Sequence, residues 1–271
     1  MSHHESFIGR LVNQLFGPLV LPLMEALGAH PHDPQNPIPD HIGVSLFICG
    51  IVAVFCLWFR RRLSVESPGN IQLCFEQLLS NDLKVGVYDL VDEIIGHGGR
   101  KYAAMIGTVG IYVLICNSIS LIPGIPSPTA HYTVPLGLAL AVFLYYHYCG
   151  IQAQGPIAYG RHFMGPMLWM AILMLPIELV SHTARLLSLT VRLLVNMVVS
   201  ELLYVQFLGL TVLLFTAMWQ LNVMLGSVSV LAPLILPPIF IALHAFVAFM
   251  QAFVFTILPT VYVGGAVAEE H

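Results

Sequence analysis

Charge is what this sequence has least of. Asp, Glu, Lys and Arg make up 9% of its 271 residues, against 58% hydrophobic residues, and the mean hydropathy is +0.85. Soluble domains carry about 25% charged residues, so the composition excludes a water-soluble globular fold and suits an all-α integral membrane protein. A nucleotide-binding loop of the Gly-x-x-x-x-Gly-Lys-[Ser/Thr] kind is also missing, which places any ATP chemistry on other chains. The five cysteines form neither a disulfide framework nor a zinc spacing. His30, His32 and His41 stand at irregular intervals in a proline-rich stretch, read as an extramembrane loop rather than a metal site. No enzymatic activity, cofactor, metal or nucleic-acid partner is expected.

What is present is a series of apolar runs. At about 20 residues per crossing, the chain has room for five to seven helices. Residues 1–42 read as an external segment, with Leu11–Gly28 an interfacial helix rather than a cleaved signal peptide, since Met1–Arg10 lacks a basic n-region. Residues 43–164 hold three spans, Gly43–Phe59, Ala103–Ile122 and Thr133–Cys149. Between the first two, apolar residues recur at helical spacing among charges, as in cytosolic surface helices. Arg60, Arg61, Arg62, Lys84, Arg100, Lys101 and Arg161 all fall on loops of one side, so the positive-inside rule puts the amino terminus outside. Asn117, inside the second span, is expected to hydrogen-bond a neighbouring helix.

Residues 165–271 differ in kind, because between Arg161 and Glu269 the only charges are Glu178, Arg185, Arg192 and Glu201. Pro166–Glu201 alone would make a helix of about 54 Å, longer than a hydrocarbon core of about 30 Å. A strongly tilted or bent two-helix hairpin is expected, with its turn near Thr211–Gly226. Arg192 stands out: a guanidinium keeps its proton, and at a membrane helix centre it costs about 2.5–3.5 kcal/mol. At 100° per residue, Glu178, Ser181, His182, Arg185, Arg192 and Asn196 share one stripe, and Glu201 points roughly the opposite way. His244, Gln251 and Tyr262 share a face of the last helix. Two such polar stripes could line water-filled half-paths on either side of a fixed positive charge, with Glu201 and His244 as an outer relay.

Leu189-Thr-Val-Arg-Leu-Leu-Val-Asn-Met, Ser200-Glu201, Leu243-His-Ala-Phe, Gln251-Ala-Phe-Val-Phe, Val261-Tyr262 and the terminal Glu-Glu-His271 resemble subunit a of F-type ATP synthases. The resemblance implies a proton-translocating stator subunit facing a rotating ring of c subunits and held by peripheral-stalk b subunits in the lipid bilayer. It implies that Arg192 takes the place of the family's essential arginine. Asn196, Glu201, His244 and Gln251 match polar positions lining the ring contact or outer half-channel, and Glu178 a polar position in the same hairpin. Val195 and Val198-Val199-Ser200 are bulkier than the family's usual small-residue stretch after the arginine.

The alternative is a self-contained ion-coupled secondary transporter, which calls for internal repeats and broken helices in matching places; the two halves show no such self-similarity. A purely structural scaffold would have no use for Arg192. A bacterial plasma membrane is the expected location, with an organelle inner membrane as the alternative.

Overall fold

The computed structural model describes residues 7–26, 36–64, 68–79, 86–96, 98–122, 127–163, 171–221 and 231–267. The fold is all-α, with no strand among these residues. Its helices are α1 (Phe7–Ala26), α2 (Asp40–Arg60), α3 (Asn70–Leu79), α4 (Val87–Ile94), α5 (Arg100–Ser118), α6 (Thr133–Gln154), α7 (Pro156–His162), α8 (Ala171–Leu221) and α9 (Leu231–Val267). Two short 3-10 turns, Ile119–Leu121 and Pro128–Ala130, follow α5. Five helical segments are long and apolar enough to cross a membrane: Asp40–Arg60, Arg100–Leu121, Thr133–Gln154, Ala171–Leu221 and Pro237–Val267. The expected early spans coincide with the first three of these, the second running one residue past Leu121.

Local chemistry accounts for several boundaries. Asp40 in the first turn of α2 and Arg60 in its last oppose the partial charges of the helix ends. Gly155 closes α6 with φ +83° and ψ 156°, a conformation open essentially to glycine alone, and Pro156 then starts α7 with its φ already suited to a helix. Arg100 is badly placed for the dipole at the start of α5, but its Nε and Nη2 donate to Asp92 Oδ2 at 2.9 and 2.8 Å, tying α5 to the amphipathic α4.

In the middle of the bundle, four helices meet through Val109 and Val113 of α5, Ala139 and Val142 of α6, Leu189, Leu193 and Met197 of α8, and Ala252 and Phe255 of α9. A second cluster at the end that carries Arg100 and Lys101 joins Val91, Ile106, Tyr146 and Val263. Gly110 lets α5 and α9 approach closely: a Cβ there would run into the Thr256 hydroxyl. On α1, the Asn13 side chain both donates to Ile38 O and accepts from Ile38 N–H, each at 2.9 Å, which docks the chain ahead of α2 against this helix.

The hairpin differs from expectation at its turn. Helix α8 runs unbroken through Thr211 to Leu221, 51 residues in all, so the break anticipated near Thr211–Gly226 does not begin at Thr211; residues 222–226 lie outside the described residues. At about 1.5 Å per residue α8 reaches about 77 Å, and only tilt or curvature fits it to a bilayer. His30, His32, Lys84, Pro166 and Glu269–His271 also lie outside the described residues.

Candidate functional site

Three polar groups are strung along α8, and packing decides which way each points. Leu189, Leu193 and Met197 are buried and orient the middle of the helix toward α5, α6 and α9. Arg192 is left on the exposed face, with Val191 and Val195 beside it. Among the described residues its guanidinium has no hydrogen bond or ion pair: Glu178 lies 3.3 Å from His182, and Glu201 accepts from Ser127. A buried pair between Arg192 and either carboxylate is therefore not formed. The bulky Val195 and Val199, each 47% exposed, lie on this outward face and leave the packing of α8 onto α9 to other residues.

Asn196, also exposed, donates from Nδ2 to Gln251 Oε1 of α9 at 2.9 Å. Gln251 is itself buried, at 2% exposure, and its Nε2 has no hydrogen-bond partner among the described residues. Asn196 and Gln251 thus bridge the two hairpin helices one turn beyond Arg192.

The first polar cluster lies beside the end of α5 and the start of α6. Glu201 Oε1 accepts the Ser127 backbone N–H at 3.0 Å, and the His244 ring is 2.7 Å from the Ser120 hydroxyl. Glu201 and His244 line one small cavity with Ser120, Leu121, Tyr204 and Ile241; it encloses about 20 Å³, room for about one water molecule. Behind it, the Thr129 hydroxyl donates to Asn117 Oδ1 at 2.6 Å, and Ser127 Oγ donates to Cys116 O at 3.2 Å. The Asn117 side chain thus pairs with a turn, while its backbone carbonyl meets His244 of the neighbouring α9; among the described residues its Nδ2 is buried without a hydrogen-bond partner.

The second cluster lies toward the opposite end, where α6 approaches α7 and α8 begins. Tyr146 Oη and His182 Nδ1 are 2.6 Å apart. Arg185 holds its guanidinium over the Tyr262 ring, 5.5 Å from the centroid, a cation–π contact. His147 Nδ1 meets Tyr159 Oη at 2.7 Å. Burial pushes the Tyr159 phenol above its ordinary pKa, opposed by Arg185.

The six expected site residues are thus divided among three places: Glu201 with His244, Arg192 with Asn196 and Gln251, and Glu178 with His182. Ser120, Ser127, Tyr204 and Tyr146 were not singled out. Ser127 follows directly on a proline-rich stretch at the end of a span, which is a signal for a structured turn; Ser120 and Tyr146 carry no comparable mark.

Residues 42–264 match the family model described as ATP synthase A chain. ATP synthase subunit a of Solibacter usitatus is 40% identical over 236 residues, 87% of this chain and 90% of the relative. The subunit a of Koribacter versatilis is 32% identical over 268 residues, 99% of both chains, and that of Helicobacter hepaticus 38% over 239 residues, covering 86% and 94%. With a match over most of its length and relatives covered almost end to end, the chain belongs to the ATP synthase A chain family.

Proposed function

We propose that this chain is the proton-translocating stator subunit of a rotary ATP synthase, in which Arg192 separates two half-paths that load and unload carboxylates on a ring of c subunits. The observation that carries the reading is the exposed Arg192, without a hydrogen bond or ion pair among the described residues, on the outward face of α8 between two polar clusters. A cation costing about 2.5–3.5 kcal/mol in lipid needs a counter-charge, and the facing surface of another subunit can supply one. An ionised carboxylate arriving there is attracted, while a free proton is repelled. The chain needs no catalytic group for this; ATP chemistry belongs to other subunits.

Glu201 and His244, with Asn117 behind them, form the outer half-path, and Asn196 and Gln251 the stretch that leads from it toward Arg192. The unpartnered Asn117 Nδ2 and Gln251 Nε2 support a wet path, because buried amide groups of this kind are ordinarily satisfied by protein or water. Glu178 belongs to the inner side. The c ring, the peripheral-stalk b subunits and the lipid of a bacterial plasma membrane are the surroundings in which this arrangement operates. A self-contained transporter would enclose its essential cation within its own helices, whereas Arg192 faces out.

The test is proton-driven ATP synthesis by assembled complexes carrying Arg192→Ala or Arg192→Lys. Both are expected to lose synthesis, the second because a desolvated ammonium can shed its proton and guanidinium cannot. Near-normal synthesis by the alanine variant would overturn the assignment.

A further inference from the structure

The cluster at the basic end holds more titratable groups than a packing role requires. His182 is 7% exposed and Tyr146 1%, yet they share a 2.6 Å hydrogen bond, and His182 Nε2 lies 3.3 Å from Glu178 Oε1. The carboxylate fixes the tautomer: the hydrogen sits on Nε2, and Nδ1 accepts from the Tyr146 hydroxyl. A continuous line, Tyr146 to His182 to Glu178, therefore runs from the interior of the bundle to a carboxylate that is about one-third exposed. Tyr262, whose ring lies 5.8 Å from that of Tyr146, closes the inner end, and Arg185 holds it there. Glu178 lies fourteen residues before Arg192 on the same helix, about 21 Å along its axis, which is the distance a proton released near Arg192 must still cover.

We propose that His182, oriented by Tyr146, is the proton-exchanging group of the inner half-path and passes protons between water on the Arg192 side and Glu178. This rests on the half-path reading above and extends it to two residues of α6 and α8. In the exit direction, the Tyr146 hydroxyl turns aside and Nδ1 takes a proton from water. The ring of the resulting imidazolium turns so that Nδ1 faces Glu178, gives that proton to Oε1 and turns back, and Glu178 releases it to water at the basic end. Nε2 keeps its hydrogen throughout, so the starting tautomer returns, one proton enters, one leaves and no net charge is gained. The groups facing His182 are Glu178 and Arg185 on its own helix, Tyr146 and His147 of α6, whose rings lie 5.7 and 5.0 Å away, and Phe163 at 5.0 Å. Tyr159 of α7 holds His147, and Tyr262 of α9 holds Tyr146, so every neighbouring element contributes to the geometry.

The experiment is passive proton flux through the membrane sector of assembled complexes in liposomes, with the pH varied on each side in turn. His182→Gln and Tyr146→Phe are each expected to lower the flux at neutral pH about a hundredfold, the lower end of what a positioned acid or base contributes. They should flatten the dependence on pH at the basic-end side while leaving the dependence on the other side unchanged. Imidazole added to the His182→Ala complex should restore flux. Wild-type flux and an intact basic-end profile in the variants would overturn the proposal, and so would an equal loss of response to pH on both sides, the signature of disturbed packing. If His182→Gln does not assemble, Tyr146→Phe, which removes one oxygen atom, decides the matter alone. Coupled ATP synthesis in Arg192→Ala tests the underlying reading separately: its survival removes the half-paths altogether, whereas unaltered flux in the His182 and Tyr146 variants removes only this relay.

Discussion

A carboxylate and an imidazole on the two helices of the hairpin gain their meaning from what holds them. Glu201 is fixed by a backbone N–H, at Ser127, and His244 by a hydroxyl, at Ser120, so each can exchange a proton without losing its position. Glu201→Gln keeps the acceptor for Ser127 and removes the titration; His244→Ala removes the ring. Both variants should assemble and slow proton passage by about two orders of magnitude without opening a leak, as read by flux at varied external pH. Wild-type flux in both would move the path to Asn117 and Gln251. The turn that carries Ser127 has its own dependence on Thr129. Thr129→Val keeps the shape but takes from Asn117 Oδ1 the hydroxyl that donates to it; an orphaned buried acceptor costs about 1–3 kcal/mol. A lower thermal midpoint of the purified complex is expected for Val, and a near-normal one for Ser. The identity of the key polar residues was legible in the sequence because a charge or amide in an apolar run is conspicuous. Their partners were not, because Ser120, Ser127 and Thr129 are small, common residues brought to Glu201, His244 and Asn117 from far along the chain.

At the scale of helices, packing is set by small residues where two backbones must approach and by apolar ridges elsewhere. Gly110 faces Thr256 and Ala252 of α9, and Gly107 has Val87 of α4 at 3.5 Å from its would-be Cβ. Gly110→Leu should push α9 away from α5, pulling His244 off Ser120. The expected outcome is loss of proton flux together with weaker assembly, in contrast to Gly137→Leu on α6, where nothing lies within 4 Å and activity should be retained; flux and subunit yield measured side by side distinguish the two. The early spans were legible because hydropathy and the flanking charges agree. The length of α8 was not. Thr211 and Thr216 interrupt the apolar run and suggest a turn, but each returns its hydroxyl to the helix's own carbonyls, Thr211 to Leu208 O at 2.7 Å and Thr216 to Val212 O at 3.0 Å. A hydroxyl satisfied in this way costs the helix little even in an apolar setting, and composition alone does not show that it will be.

For the molecule as a whole, the two polar clusters lie toward opposite ends of the bundle, and which end faces the cytosol decides the direction of the path. Arg60 ends α2 and Arg61 and Arg62 follow it, Arg100 and Lys101 open α5, and Arg161 lies in the last turn of α7, so six basic residues gather at the end where α6 terminates and α8 begins. Ser127, Thr129 and the Glu201–His244 cavity lie at the other end, where α5 terminates and α6 begins. The retention of Lys and Arg on the cytoplasmic side predicts that the first end lies inside, an orientation in which Glu201 and His244 would be reached from outside. Single cysteines introduced as Asn36→Cys and Arg161→Cys, in a chain whose five native cysteines are replaced, provide the check. A membrane-impermeant thiol reagent is expected to reach residue 36 only from the outer face of intact cells and residue 161 only in inverted vesicles. The opposite pattern would reverse the roles of the two clusters: Glu201 and His244 would then exchange with the cytosol, and Glu178 and His182 with the exterior. Arg192 would keep its place between them under either orientation, because its position on the outward face of α8 is set by the packing of Leu189, Leu193 and Met197 and not by the side from which the helix enters the bilayer.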